Sequence, residues 1–244
     1  MDASEDPQYS ASDYPEITKS LVIAATTSSN VSWVSSAIKS TNWKPYIYIT
    51  DSADAQLTVP INRGNEAMVY LTYIIQNYVD SLPDIMFFHH HHENAWHQLL
   101  TASHEITYLK DQFVMDSGYV SPRCLGSCEN VIELSGNYIP LSDLEDAIPR
   151  ETQIGSFLME FLGWIPEKIA SPCCAQFAVS REAVYRRSLD EWKSIRKWLE
   201  ETKLSSSSSG RVLEHTWHIL FGMESIHCPV QNVCLCGGFG MDCT

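Results

Sequence analysis

Short apolar runs alternate with longer amphipathic stretches along the first part of the chain. Residues 19–26 (KSLVIAAT) read as a buried strand, an apolar run closed by a Thr/Ser cluster. Residues 30–40 fit a short helix capped at Ser29 or Asn30, with Trp33, Val34 and Ile38 on one side. Residues 44–50 (KPYIYIT) are a second strand, rich in aromatic and β-branched side chains. After a loop with Pro60 and Gly64, residues 65–80 carry Met68, Leu71, Ile75 and Tyr78 at helical spacing, and residues 84–90 (DIMFFHH) return to a strand. Beyond this the pattern loosens. It predicts helices over 98–112, 151–164, 181–203 and 211–222 and a strand at 177–180. It also predicts a loop-rich stretch over 113–150, a flexible serine loop at 204–210 and an irregular Cys- and Gly-rich tail.

Strands alternating with helices predict an α/β fold. One domain over residues 17–244 has a largely parallel central sheet with helices on both faces. In such sheets ligands bind beyond the carboxyl ends of the strands, which singles out the loops after Thr50, Phe88 and Ser180.

Composition narrows the function. Hydrophobic content of 44% with 19% charged residues supports a packed core rather than disorder. A net charge of −14 argues against a nonspecific nucleic-acid binder. Seven of the 16 basic residues nevertheless fall between Arg181 and Lys203. No apolar run approaches the roughly 18 residues of a membrane span, so no membrane partner is expected. Residues 1–16 are acidic and polar, read as a disordered leader and not a secretory signal, so the expected location is cytoplasmic. The eight cysteines are then expected to be reduced thiols. A zinc site from Cys228, Cys234, Cys236 and Cys243 stays open as an alternative.

The densest candidate chemistry is FFHHHHENAWH, directly after the third strand. Strand alternation puts His89 and His91 on one side and His90 and His92 on the other. The cleft-facing side can hold a divalent metal, with His89 and His91 the candidate pair, or supply acid/base chemistry through His91, Glu93 and His97. Four histidines in a row are also compatible with a solvated loop. In NRGNEA, Gly64 gives the turn, Asn65 caps the following helix and Glu66 sits in its first turn. Glu66 is a candidate catalytic carboxylate, and Asn62 and Asn65 are candidate substrate contacts. Glu214 and His218 stand at i, i+4, a spacing that fits a catalytic or binding pair as well as a structural one. Arg211 is a candidate anion contact, and Asp51 a substrate contact or a plain turn former. Arg186, Lys193 and Lys197 share one helical stripe, either a solvated face or a track for phosphates.

The segments NRGNEAMVYLTYII, FVMDSGYVSPRC, CCAQFAVSREAVYRR and SGRVLEHTWHILFG resemble the fungal domain-of-unknown-function family 3431, from about Leu21 to Cys243. That family is similar to glycosyltransferases of the A-type fold, in which an Asn-x-Gly segment leads a helix and a strand ends in a metal-holding Asp-x-Asp. Asn62 and Gly64 match the first element; histidines stand where the aspartates would be, a poor set for a hard ion. The resemblance also implies a link to arginine-containing cyclodipeptide synthases. The expected function is therefore a transferase of secondary metabolism that takes aminoacyl-tRNA, met by Arg186, Lys193 and Lys197. The alternatives are a nucleotide-sugar glycosyltransferase and a histidine-metal biosynthetic enzyme on the same scaffold, each with a small-molecule substrate.

Overall fold

A computed structural model describes residues 16–243, so all of the acidic leader except Glu16 lies outside the described residues. Strands β1 (Lys19–Ala25), β2 (Trp43–Ile49) and β3 (Ile85–His90) fall within a residue or so of their predicted places, and helices α1 (Trp33–Ala37) and α2 (Ala67–Asn77) lie inside theirs, shorter by two or three residues at each end. The predicted helix at 98–112 divides into α3 (Ala102–Tyr108) and α4 (Asp111–Ser117). The stretch expected to be loops also carries the short strands β4 (Tyr119–Val120) and β5 (Ile132–Glu133), the latter paired with β6 (Lys168–Ile169). Helix α5 (Arg150–Leu162) and strand β7 (Phe177–Ser180) match their predictions, and α6 (Arg181–Tyr185), α7 (Leu189–Glu201), α8 (Ser206–Glu214) and α9 (Trp217–Leu220) follow.

The five-stranded sheet has the order β2-β1-β3-β7-β4. Strands β2, β1 and β3 are parallel neighbours, with Val22 opposite both Tyr46 and Phe88. Strand β7 runs antiparallel to β3 and to β4, so the sheet is mostly but not entirely parallel. The reversal has a topological cause. The chain leaves β3 at its carboxyl end, and the excursion through residues 91–176 returns to that same end. Ser180 therefore pairs with Ile85, at the opposite end of β3 from the histidines, and the expected ligand loop after Ser180 lies away from them. The loop before Phe177 takes its place.

Alternation along β3 sorts its side chains. Met86 and Phe88 pack with α2, α7 and an aromatic group of Phe177, Trp217 and Phe221. Ile85 and Phe87 pack with Trp33, Trp43, Ala102 and Ile106 on the other face. Helices cover both faces. A fully buried Phe such as Phe88 contributes about 2–3 kcal/mol by its removal from water.

Two predicted helix boundaries move because of serines. The helix expected over 181–203 breaks at Ser188, which forms a capping box. The Ser188 hydroxyl accepts from the Glu191 amide, and Glu191 Oε2 accepts from the Ser188 amide at 2.7 Å. The serine run read as a flexible loop is helical, because Ser205 caps α8 by accepting from the Ser208 amide at 3.2 Å. Small residues there let α8 approach the turn before α2: a Cβ on Gly210 would stand 2.7 Å from Asn65 Nδ2 and 3.0 Å from the Gly64 carbonyl. Gly210→Ala should therefore lower unfolding free energy by about 1–3 kcal/mol in urea titration, since backbone must shift. An unchanged midpoint would show that the contact yields freely.

All eight cysteines are bridged, as Cys124–Cys234, Cys128–Cys228, Cys173–Cys174 and Cys236–Cys243. This corrects the expectation of reduced thiols and removes the zinc set, whose four sulfurs are all spent. Disulfides persist in oxidising compartments, so four bridges do not fit the expected cytoplasmic location from which reduced thiols were inferred. Among the described residues no helix is long and apolar enough to cross a membrane.

Candidate functional site

The parallel strands end together at Ala25, Ile49 and His90, and a cavity of about 370 Å³ opens beyond them. Ala24, Thr26 and Thr50 form its floor. Asn62, Asn65 and Glu66 come from the turn into α2, and His90, His91, His92 and His97 come from the loop after β3. Gly64, at φ +70°, makes that turn, and its amide donates to the Ser206 hydroxyl at 2.8 Å.

Strand parity selects the rings. His90 follows Met86 and Phe88 onto the α2 side. His89 lies on the other side, fully buried, its Nδ1–H donating to the His90 carbonyl at 2.7 Å. Its Nε2 stands 2.9 Å from Glu105 Oε2 and 2.8 Å from the Gln176 amide nitrogen. The expected metal pair of His89 and His91 is thus corrected, because His89 is engaged in the core. His90, His92 and His97 instead present one ligand atom each, all within 4.8 Å of one another. The buried Nε2 of His90 has no hydrogen-bond partner. His97 Nε2–H donates to Gln176 Oε1 at 2.9 Å, which leaves its Nδ1 as the nitrogen with a free lone pair. Burial first, and then the neighbouring imidazoles, hold His90 well below the usual imidazole range and push His92 down to about 4. Both rings are therefore neutral at neutral pH, the state in which imidazole ligates.

Glu66 Oε2 stands 3.9 Å from His90 Nε2. Burial, with a smaller contribution from the Glu214 charge, pushes its carboxyl up to about 8. The arrangement combines three imidazoles, those of His90 and His92 neutral, with a carboxyl that titrates near neutrality and two amide side chains around one hollow. Such a set can hold a metal ion through nitrogen and move a proton beside it.

The other predicted residues are more dispersed. Glu93 borders an outer lobe of about 470 Å³ with Thr26, Ser28, Asn30 and His91, and accepts from the Ser103 hydroxyl at 3.0 Å. Glu214 accepts from the Cys174 amide at 3.0 Å and lines a different cavity, together with Arg211. Glu214 and His218 do not share a helical face, because the helix ends at Glu214 and restarts at Trp217. His218 is buried, and its Nε2–H donates to the Ser225 carbonyl at 3.1 Å. Asp51 accepts from the Thr27 amide and hydroxyl at 2.7 and 2.9 Å, which holds two loops together. Those hydrogen bonds keep its carboxyl below the usual range. In the basic stripe, Arg186 donates to the Gly222 carbonyl at 2.6 Å, Lys193 pairs with Asp190 at 3.6 Å and Lys197 with Glu201 at 4.0 Å. Each cation has an internal partner.

Gln176 is the residue that sequence reasoning missed. It sits in the loop before β7, and nothing in its neighbourhood marks it. His90 and His92 were visible as alternates; the parity of β3, set by Met86 and Phe88 against α2, was the signal that would have chosen them.

No curated protein and no solved structure matches the chain. The family model described as "Protein of unknown function (DUF3431)" matches residues 21–237, nearly the whole described chain, and the protein belongs to that family.

Proposed function

We propose that the protein is a metal-dependent transferase whose centre is His90, His92 and His97, with Glu66 as the proton-handling carboxyl. The observation that carries this reading is the meeting of three imidazole nitrogens within 4.8 Å at the carboxyl end of a parallel strand. Imidazole suits zinc, copper, iron or nickel, whereas magnesium and calcium prefer oxygen. A metal held there supplies Lewis acidity toward a substrate oxygen or a water. Glu66 takes the proton of an amine or hydroxyl nucleophile, and Asn62 and Asn65 orient that nucleophile by hydrogen bonds. Gln176 keeps His97 in the ligating tautomer. The glycosyltransferase-like scaffold is supported by Asn62 and Gly64 leading α2; of His89 and His91, which stand where an Asp-x-Asp would end β3, His89 is turned into the core. A free phosphate track for tRNA has less support, since the α7 cations are ion-paired.

Elemental analysis of purified protein tests the centre. About one equivalent of zinc, copper, iron or nickel is expected, falling at least ~10-fold in His92→Ala and unchanged in His91→Ala. Wild-type protein that is metal-free, and takes up none of the four on dialysis, would overturn the reading. An untargeted metabolite comparison of hosts expressing wild type or Glu66→Gln then identifies the reaction. A cyclic arginine-containing dipeptide supports aminoacyl transfer, and a new glycoside supports sugar transfer. The product should fall by about 10²-fold or more in the variant.

A further inference from the structure

A second cavity of about 480 Å³ lies between the loop after β3, the start of α5 and the end of α8, with the Cys173–Cys174 bridge on its wall. Three arginines face it, and they differ in how they are engaged. Arg123 donates to both oxygens of Glu129, at 2.7 and 2.8 Å, and also to the His97 carbonyl. Its charge is neutralised, and it braces the histidine loop. Among the described residues the Arg150 side chain has one ion-pair partner, its helix neighbour Glu151, at 3.6 Å and half-exposed. Arg211 makes no side-chain hydrogen bond or ion pair among the described residues, although a cation in the last turn of α8 also suits that helix end.

Two guanidinium groups therefore meet one hollow, Arg150 held only by the half-exposed Glu151 and Arg211 by no ion pair among the described residues. Glu214, the remaining acid on the wall, already accepts from Cys174. Helix α5 is 13 residues long and begins at Arg150, which lines the cavity; its Thr152 and Gln153 amides already donate to the Pro149 carbonyl. The positive field registers on His215, which burial, then Arg150 and Arg211, push down to about 4. At the rim Trp96 is 88% exposed, a large ring with no packing partner over its outer face. Trp96 and His97 are consecutive, one lining this cavity and the other the histidine cavity, so this short segment is part of the wall of both.

We propose that this second cavity binds an oxyanion, a phosphate or carboxylate group carried by the substrate, through Arg150 and Arg211, with Trp96 stacked on the adjoining part of the molecule. Planar guanidinium forks match both oxyanions bidentately. Only the word substrate rests on the proposed metal centre; anion binding stands by itself.

Calorimetric titration of the whole protein with sodium pyrophosphate, and separately with malonate, tests this. Saturable binding of at least one is expected, and which one binds assigns the group. Arg150→Gln and Arg211→Gln should each weaken it by on the order of tenfold or more, with metal content unchanged. Lys193→Gln, on the far stripe, should bind as wild type. His92→Ala should lose metal and keep the anion. Three results would overturn the proposal: no binding of either anion at millimolar concentration, equal binding in both arginine variants and wild type, or loss of binding in His92→Ala, which would put the anion on the metal.

Discussion

Reduction with a phosphine lowers the thermal midpoint of this protein by about 10 °C or more. The Cys124–Cys234 bridge spans 110 residues and Cys128–Cys228 spans 100. In the chain-entropy account, closing a loop of that length removes about 4–5 kcal/mol of freedom from the unfolded chain. The second bridge adds less, because the first already holds its partners a few residues apart. For a chain of this size each kcal/mol moves the midpoint by about 2–4 °C. The bridges also fasten the C-terminal segment, whose Cys234 and Phe239 complete the core against α1, α3 and α4. Melting followed by circular dichroism, with and without reductant, checks this, and Cys124→Ser alone should show most of the loss. A midpoint indifferent to reductant would mean that the thiols are unpaired in the folded protein.

Stability falls steeply as pH drops from 6.5 to 4. His218 is fully buried, and burial pushes its ring down to about 4. In the unfolded chain the same ring protonates near 6.5. The folded pKa is depressed, so the neutral ring is the folded form. Above 6.5 both states are neutral and stability is complete. Below 6.5 the unfolded chain binds a proton that the native ring refuses, and stability drains until about pH 4. The loss from this one group is about 3 kcal/mol. His215, His227 and His92 are shifted the same way and steepen the slope, and together they outweigh Glu66, whose carboxyl, pushed up to about 8, acts in the opposite sense. Urea titrations across this range should show it, and His218→Gln, which keeps a donor for the Ser225 carbonyl, should flatten it. A variant with the wild-type slope would remove His218 from the account.

Much of the scaffold was legible because its signals are local. The apolar run 21–23, the aromatic strand 43–49 and the periodic helix 67–77 each declare themselves within a dozen residues. The sites of error were those where a local signal had two meanings. Ser205–Ser209 reads as a linker by composition, yet the same hydroxyls cap α8 and bond back to its carbonyls. Ser188 inside an amphipathic pattern was overridden by periodicity, although Ser188 and Glu191 form a sequence-visible capping box. The thiol state was inferred from the N-terminal segment and not from the pairing that the fold imposes.

The sequence by itself determined that three parallel strands would end near a histidine-rich loop, and that Asn62, Gly64 and Glu66 would lead the helix beside it, because strand alternation, turn chemistry and helical periodicity act over short spans. Only the tertiary structure decided the rest. It placed β7 in reverse, brought Gln176 across 79 residues to His97 and turned His89 into the core beside Glu105. Those outcomes depend on which distant surfaces bury each other, and burial between elements far apart in the chain leaves no periodic trace in either of them.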